Sequence, residues 1–396
     1  MTFKKFVKLL FRFIFLIPMT LLCHLPVLAD SPIPAPVGQA AAGRLSAPPG
    51  FKISVYAADL GNPRGMAWSP EGTLYVCDMN AGRILRLIND GGGEAGDSQV
   101  VIEGLKHPHS LAFYQGYVYV GETNRVSRFK LGDHRLFEED GKTILILPSG
   151  GGHSTRTVLF GPDGKLYVSI GSSCNACVEE DERRATICRC DSDGSHFEIF
   201  AQGLRNAVGM AFQPGTNKLF ASCNGRDLIG DDIPPECLYE VQQGKHYGWP
   251  YSYSLHGKAF SDPEFGRGRL HQNGYSFFEY QAHAAPLGIL FYTGGSFPDF
   301  YHHGLFICYH GSWNRSIPVG YKVVFLPLDQ NNKPGIPQDF LRGFLQGAER
   351  VGRPVELAAG PKGELYISDD HGGRIFKVVY EEGTNATEKA KNVSQR

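Results

Sequence analysis

The sequence predicts an all-β protein, a six-bladed β-propeller, on three observations. Helical periodicity is hard to find after residue 45, whereas short apolar runs such as LYVCD, VYVGE, LYVSI and LYISD recur along the chain. The 49 glycines and 25 prolines punctuate these runs, as turns between short strands require. A unit of about the length of one four-stranded blade also occurs six times.

Each copy of this unit contains a polar turn, an apolar strand and a second strand of the LYVS type. The first strands, with the turns that lead into them, fall at residues 62–68, 107–113, 153–160, 205–212, 285–291 and 353–359. Longer insertions follow the fourth and fifth copies. A closed ring of blades leaves only short, protected strand edges, which favours the propeller over a solenoid or a sandwich.

The first 29 residues have the pattern of an export signal. A basic start is followed by an apolar run at 13–22, and Val27-Leu28-Ala29 provides a cleavage site. The alternative is an uncleaved anchor, but a break at His24-Leu25-Pro26 makes the run too short to span a bilayer comfortably. We expect a periplasmic or secreted protein with no membrane span after cleavage.

The mature chain is expected to have three parts. Residues 30–49 are rich in proline and alanine and predict a linker. The propeller is expected at 50–380, and the polar residues 381–396 predict a disordered tail. The formal net charge of −1, without a long basic run past the N-terminus, argues against nucleic acid as a partner.

Eight of the nine cysteines follow the predicted signal. In an oxidising compartment they are best interpreted as disulfides or buried thiols. A four-thiolate zinc site from Cys174, Cys177, Cys188 and Cys190 is the alternative, although one of its pairs has a single intervening residue.

The geometry of a propeller brings the polar turns together. The innermost strand of each blade lines the central channel, so residues entering that strand surround one mouth. These positions hold Arg64, His109, His153, Arg205 with Asn206, and Arg353. Guanidinium groups bind carboxylates and phosphates through paired donors, so three arginines predict a small polycarboxylate ligand.

These residues lie in segments that resemble the glucose/sorbosone dehydrogenase family. The resemblance covers residues 48–380 and is most specific in GGHSTRTVLFGPDGKLYVSIGSSCNAC, GLRNAVGMAF, NGRDLIGDDIPPECLYEV, HYGWPY, HGSWNRSIPVGYKV and GRPVELAAGPKGELYISDDHGGRIF. Family members are soluble quinoproteins that carry pyrroloquinoline quinone (PQQ) on a six-bladed propeller. The sequence is more similar to the sorbosone and pyranose dehydrogenase-like branches than to classical soluble glucose dehydrogenase.

The resemblance implies a redox site. The arginine ring would hold PQQ, and His153 matches the family's general base. Calcium would be bound by the backbone carbonyls of Gly225 and Arg226, while the Arg226 guanidinium would face a cofactor carboxylate. Asp231 and Asp232 are less suited as calcium ligands, because GDDIPP is also typical of a solvated loop.

Two later segments complete the expected cofactor site. HGSWNR would place His310, Trp313 and Arg315 beside the quinone, and DDHGGR would add His371 and Arg374. The insertion at 252–281 would shape access for the substrate.

The resulting hypothesis is an exported PQQ-dependent dehydrogenase of a sugar or related alcohol or aldehyde. Hydride would pass to the quinone, and electrons would leave to a soluble acceptor because the chain has no haem motif. Two alternatives remain open: a calcium-dependent propeller lactonase in which His153 activates water, and a propeller that binds a ligand without catalysis.

Overall fold

The computed structural model describes residues 42–89, 94–132, 137, 141–268 and 270–382. Within these ranges, 28 strands form six four-stranded antiparallel sheets and two small hairpins. The sheets are the blades of a six-bladed propeller, which confirms the predicted fold class. No helix in the described part of the chain is long and apolar enough to cross a membrane. The predicted export signal lies outside the described residues.

In the first five blades, the strands follow chain order from the innermost strand outward. The first three blades contain β2 to β5 (Pro63–Trp68, Leu74–Asp78, Arg83–Asn89, Ala95–Ile102), β6 to β9 (Ser110–Tyr114, Tyr117–Glu122, Arg125–Lys130, Lys142–Ile146) and β10 to β13 (Val158–Phe160, Leu166–Ile170, Thr186–Cys190, Glu198–Gln202). The next two contain β14, β15, β16 and β19 (Ala207–Phe212, Leu219–Cys223, Glu236–Val241, Phe278–Tyr280) and β20 to β23 (Pro286–Phe291, Gly304–Tyr309, Lys322–Pro327, Gln338–Leu341). The sixth contains β26 to β28 (Pro354–Ala359, Leu365–Asp369, Arg374–Tyr380) with β1 (Phe51–Ala57) outermost. The hairpins are β17–β18 (Ser252–Leu255, Lys258–Ser261) and β24–β25 (Leu345–Gln346, Glu349–Arg350), and a short 3-10 helix spans Asp299–His302.

The LYVS-type runs are the second strands of their blades. In β3, β11 and β27 every residue is buried. Both faces of each strand are covered, because every blade packs between two neighbours. Strands buried on both faces have continuous apolar sequences in place of an alternating pattern, which explains why these runs mark the repeat so clearly.

The ring closes through its first strand. β1 pairs with β28 in antiparallel register, with Phe51 opposite Tyr380. The last blade therefore combines strands from both ends of the fold. Part of the predicted linker also packs on the propeller, because Ala42 is buried and Ser46 forms a bridge with Arg342.

Side-chain hydroxyl groups connect neighbouring blades near the channel. Four of them donate to backbone carbonyls of the next blade: Ser110 to Arg156 at 2.9 Å, Thr157 to Val208 at 2.5 Å, Ser222 to Leu287 at 2.6 Å and Ser368 to Arg64 at 2.8 Å. All four hydroxyl residues are buried. These bonds satisfy carbonyls that no strand partner reaches and fix the spacing between innermost strands.

Gly209 in β14 is required by this close approach. A Cβ atom at this position would lie 2.0 Å from the carbonyl oxygen of Leu287 in the next blade. We expect Gly209→Ala to lower the free energy of unfolding by about 1–3 kcal/mol, since overpacking forces the backbone apart. Urea unfolding measures the effect, with Gly295→Ala as the control because nothing lies within 4 Å of its Cβ position. Equal losses in the two variants would contradict the close blade contact.

A central cavity of about 420 Å³ is lined by the innermost strands of all six blades. Its walls are mostly apolar, but Glu356 from β26 also lines it. The Glu356 carboxylate accepts a backbone hydrogen bond from Leu357. Burial raises the pKa of Glu356 to about 7. The protonated form is therefore favoured in the folded protein.

Glu356 should make stability depend on pH. Its folded pKa of about 7 exceeds the ordinary value of 4.5. The stabilising protonation is therefore complete below the unfolded pKa and is lost as pH rises from about 4.5 through 7. Glu356→Gln should consequently be more stable than wild type at pH 8, by about 2–3 kcal/mol, and similar to it at pH 4. Urea unfolding at both pH values tests this against exposed Glu71→Gln, and a difference independent of pH would refute it.

Candidate functional site

The polar turns in front of the innermost strands contact one another across several blade boundaries. Arg64 of the first blade approaches His109 of the second, with Nη2 to Nε2 at 3.3 Å. It also pairs with Asp370 of the sixth blade at 2.5 Å. On the other side of the ring, Asn224 of the fourth blade donates to the carbonyl of Pro286 in the fifth at 2.9 Å. All of these groups lie at the same end of the propeller.

The first part of this mouth is the Asp370 cluster, formed by Arg64, His109, His310, Arg353 and Asp370. Both carboxylate oxygens of Asp370 lie 3.0 Å from Nε2 of His310. The Arg353 guanidinium donates to the carbonyls of His310 and Gly311, both at 3.3 Å. Blades five, six and one therefore meet through one buried carboxylate.

Burial keeps both imidazoles of the Asp370 cluster neutral. Burial opposes ionisation of Asp370, but His310 and Arg64 outweigh it, and the pKa of Asp370 is lowered. Burial lowers the pKa of His310 to about 4 despite the nearby carboxylate. Burial and Arg64 hold the pKa of His109 well below its usual range.

Arg353 carries the excess positive charge of this cluster. Asp370 balances Arg64, whereas Arg353 forms no ion pair with any carboxylate in the described part of the chain. The ring of cations is therefore less positive than three unpaired arginines would be. Arg353 is therefore the arginine expected to contribute most to the binding of an anionic ligand.

The second part of the mouth is the Arg205 cluster, centred on the arginine before β14. Its guanidinium donates to the Gly225 carbonyl at 2.6 Å and to the Asp227 carboxylate at 2.8 Å. It also donates to the backbone and side-chain oxygens of Asn175 at 2.9 and 3.0 Å. These acceptors thus fix a side chain that is only 6% exposed.

His153 lies next to the Arg205 cluster. Its Nδ1 is 3.0 Å from the Ser172 carbonyl and 2.8 Å from the Ser172 hydroxyl. A carbonyl oxygen only accepts hydrogen bonds, so this network places the proton on Nδ1 and leaves Nε2 with a lone pair. Burial, followed by the charge of Arg205, lowers the pKa of His153 to about 4. His153 is therefore a neutral imidazole at physiological pH.

Several buried donors and acceptors at the mouth have no protein partner. They are Nε of Arg64 and both amide atoms of Asn314, in the loop that follows His310. Buried polar atoms are normally hydrogen-bonded, so water or a polar ligand would satisfy these groups. A flat molecule with several carboxylates and carbonyls matches this set of donors, together with Arg353.

Three predicted cofactor contacts are instead engaged by protein acids. Arg226 pairs with Asp262 at 2.8 Å and with Glu264 at 3.3 Å, so two protein carboxylates engage its guanidinium. Arg315 binds the backbone carbonyl of Asp231 and pairs with Asp232 at 3.0 Å. Arg374 is fully buried against Asp369 at 3.2 Å. All three guanidinium groups are therefore paired within the protein.

Two other predicted residues occupy the mouth in different ways. Asn206 donates to the side chain of Asn224 at 3.2 Å. A Cβ atom on Gly171 would contact both Asn206 and His153, so the glycine allows these two side chains to approach the same backbone. Trp313 is 69% exposed, so it does not pack the blade insertion.

Sequence reasoning missed several groups that organise the mouth. Asp370 was seen only as part of the DDHGGR turn, and Asn175 only as part of a cysteine motif. Glu236 is a further example, because it accepts from the backbone of Gly225 at 2.5 Å and burial raises its pKa to about 7. For Asp370, its place in the same turn as the predicted Arg374 was the available signal.

The cysteines agree with the preferred interpretation of disulfides and buried thiols. Cys174 and Cys177 form a disulfide, while Cys188 and Cys190 are buried free thiols. A four-thiolate zinc site is therefore not what the structure shows.

A family model described as TrAA12-like matches residues 45–262 and 271–381. The chain belongs to the TrAA12-like family. Membership agrees with the family resemblance found in the sequence.

Relatives of this TrAA12-like chain include characterised proteins. A pyrroloquinoline quinone-dependent sugar dehydrogenase of Hypocrea jecorina is 23% identical, over 83% of this chain and 87% of that protein. A calcium structure of Trichoderma reesei family AA12 superposes with a TM-score of 0.75 at 22% identity, covering 85% and 97% of the two chains. The holo form of the pyranose dehydrogenase PQQ domain of Coprinopsis cinerea gives a TM-score of 0.74 at 21% identity, covering 87% and 98%. At these identities the structural likeness shows the shared fold.

Proposed function

We propose that the protein is a PQQ-dependent dehydrogenase that oxidises a sugar at a C–H bond next to oxygen. The proposal rests on the groups that lie together at the mouth. The mouth combines an unbalanced arginine, a set of buried donors without partners and a neutral histidine with a free ring nitrogen. The names of the related PQQ-dependent sugar and pyranose dehydrogenases support the same activity.

The residues present fit PQQ, which when bound would supply a carbon that accepts hydride. Arg353 and the unpartnered Nε of Arg64 would hold its carboxylates through charge-assisted hydrogen bonds. Trp313 and the insertion at 252–281 would shape access for the sugar. Neither the aldose, pyranose nor sorbosone class is distinguished by these contacts.

His153 would act as the general base. Ser172 fixes the ring orientation and keeps the proton on Nδ1, so Nε2 can take the proton of the substrate hydroxyl as hydride leaves the same carbon. An anionic ligand beside Arg205 would offset the charge that depresses the pKa of His153 and make it a stronger base. Oxidation of an aldose at its anomeric carbon would give a lactone.

We propose calcium at the carbonyls of Gly225 and Arg226, beside the guanidinium of Arg205. The Gly225 carbonyl already accepts a hydrogen bond from Arg205, and Asp227 is engaged by the same arginine. A calcium ion here would therefore have to share its carbonyl ligand with a guanidinium. The calcium structure of the Trichoderma relative supports testing this ion first.

The remaining parts of the proposal concern the setting of the reaction. A soluble electron acceptor would reoxidise the cofactor, and the export signal predicted for residues 1–29 would place the enzyme in the periplasm or outside the cell. Both follow from the sequence alone.

Dye reduction by the purified protein tests the proposal. The protein would be supplied with PQQ, with or without calcium, and assayed with a panel of aldoses, pyranoses and sorbosone. Sugar-dependent dye reduction that requires PQQ is the expected result. Lactone hydrolysis without added quinone would instead support a lactonase, and tight PQQ binding without turnover with any substrate would indicate a binding protein.

A further inference from the structure

We propose that the disulfide-closed loop Cys174–Cys177 is a redox-sensitive structural element that positions Arg205 and His153. Asn175, within this loop, is the positioning residue. The inference rests in part on the proposed function, because Arg205 and His153 are the groups that would face cofactor and substrate. The disulfide and the contacts of Asn175 carry it independently of the identity of the ligand.

Asn175 contacts three elements of the mouth at once. Its side-chain oxygen accepts from Arg205 at 3.0 Å and from the backbone of Asp227 at 2.7 Å. Its side-chain amide donates to the Asp227 carbonyl at 3.0 Å. Its backbone oxygen accepts from Arg205 at 2.9 Å and from Nε1 of Trp249 at 3.1 Å. One residue thus aligns the arginine with the carboxylate that balances it.

The same loop also supports the proposed base. The Cys174 carbonyl accepts from the Ser172 hydroxyl at 2.7 Å, and that hydroxyl contacts Nδ1 of His153 at 2.8 Å. A displacement of Cys174 would therefore reach the imidazole through a single side chain. The loop connects the two functional groups on either side of it.

The disulfide holds this loop closed across only two intervening residues. Cys174 and Cys177 are both partly exposed, so a reductant can reach the bond. The other described cysteines are buried thiols, so a reductant has one target among the described residues. A dithiol reductant would give two electrons and two protons to the Cys174–Cys177 bond, forming two thiols while it becomes a cyclic disulfide.

Reduction should loosen Asn175 and weaken its hold on Arg205. We expect PQQ affinity to fall at least tenfold in the reduced protein, and the Cys174→Ala/Cys177→Ala variant to show the same loss without reductant. The reductant would be removed under anaerobic conditions before titration, because thiols reduce quinones directly. Asn175→Ala should also weaken PQQ binding, while Asn175→Asp, which keeps an oxygen acceptor for Arg205, should recover part of it.

Two further measurements do not depend on PQQ. Reduction should shift the emission of Trp249, which Trp249→Phe identifies, and should speed hydrogen exchange at the Asp227 amide. The double cysteine variant serves as the control, since reductant should change neither property in it. Failure of the oxidised protein to bind PQQ would refute the proposed function. Hydrogen exchange at Asp227 and emission of Trp249 would still show whether reduction of the disulfide moves Asn175. The proposal that the disulfide positions Arg205 and His153 would be overturned by one result. In it, the reduced protein melts at the same temperature as the oxidised protein and shows unchanged Asp227 exchange, Trp249 emission and PQQ affinity.

Discussion

His153→Ala is expected to lower kcat by about 10²–10⁴-fold, the usual contribution of a positioned general base. Quinone binding should change little, because the backbone loop around Ser172 and the guanidinium of Arg205 remain in place. Steady-state dye reduction with saturating sugar gives kcat, and a PQQ titration of the same variant gives the affinity. A fall in kcat at nearly constant affinity would separate the base from a merely structural histidine.

His303→Ala is the matched control for this experiment. His303 is exposed and lies at a different cavity, beside Gln213 and Asn332. Its removal should leave kcat unchanged. If His153→Ala retained wild-type kcat, another group would have to take the substrate proton.

The pH dependence of kcat/KM provides a second readout of His153. In the ligand-free protein its pKa is about 4, because burial and Arg205 disfavour the imidazolium. An anionic cofactor beside Arg205 offsets part of this effect, so kcat/KM of the PQQ-loaded enzyme should fall at a pH above about 4, where the ring becomes protonated. The same acidic limb in the residual activity of His153→Ala would show that His153 is not the titrating group.

Arg353→Ala should weaken PQQ binding by at least about 30-fold, equivalent to about 2 kcal/mol for loss of a buried charge-assisted contact. The effect should be large because Arg353 has no balancing ion pair among the described residues. Its guanidinium donates to the carbonyls of His310 and Gly311 and lies over the ring of Tyr321, 6.0 Å from the ring centroid. Fluorescence titration at fixed ionic strength measures the affinity.

Arg44→Ala is a suitable control for the loss of one positive charge. Arg44 is exposed and pairs with Glu349 at 3.1 Å. It should leave PQQ affinity unchanged. If Arg353→Ala bound PQQ as tightly as Arg44→Ala, the ligand would not be held at this mouth.

The blades could be predicted because each one faces the same packing problem. A second strand covered on both sides must be apolar throughout, as in β3, β11 and β27, and an innermost strand must begin with a turn at the channel mouth. Both requirements produce sequence patterns that recur at the same position in each blade. They therefore also located Arg64, His153, Arg205 and Arg353.

Which arginines pair with protein acids could not be predicted in the same way. The family resemblance predicts Arg315 and Arg374 at the cofactor site beside Arg353, yet Asp232 and Asp369 pair with them in the folded protein. Which acid reaches which guanidinium depends on loop conformations that no sequence period records. The central position of Asp370, between three blades, is a property of the closed ring.

A crystal structure of the protein soaked with PQQ tests the central claim most directly. The account predicts the tricarboxylate at the mouth, with its carboxylates against Arg353 and Arg64 and with Nε2 of His153 facing the open side of the quinone. PQQ bound away from these three side chains, or a mouth without PQQ at a saturating concentration, would contradict it.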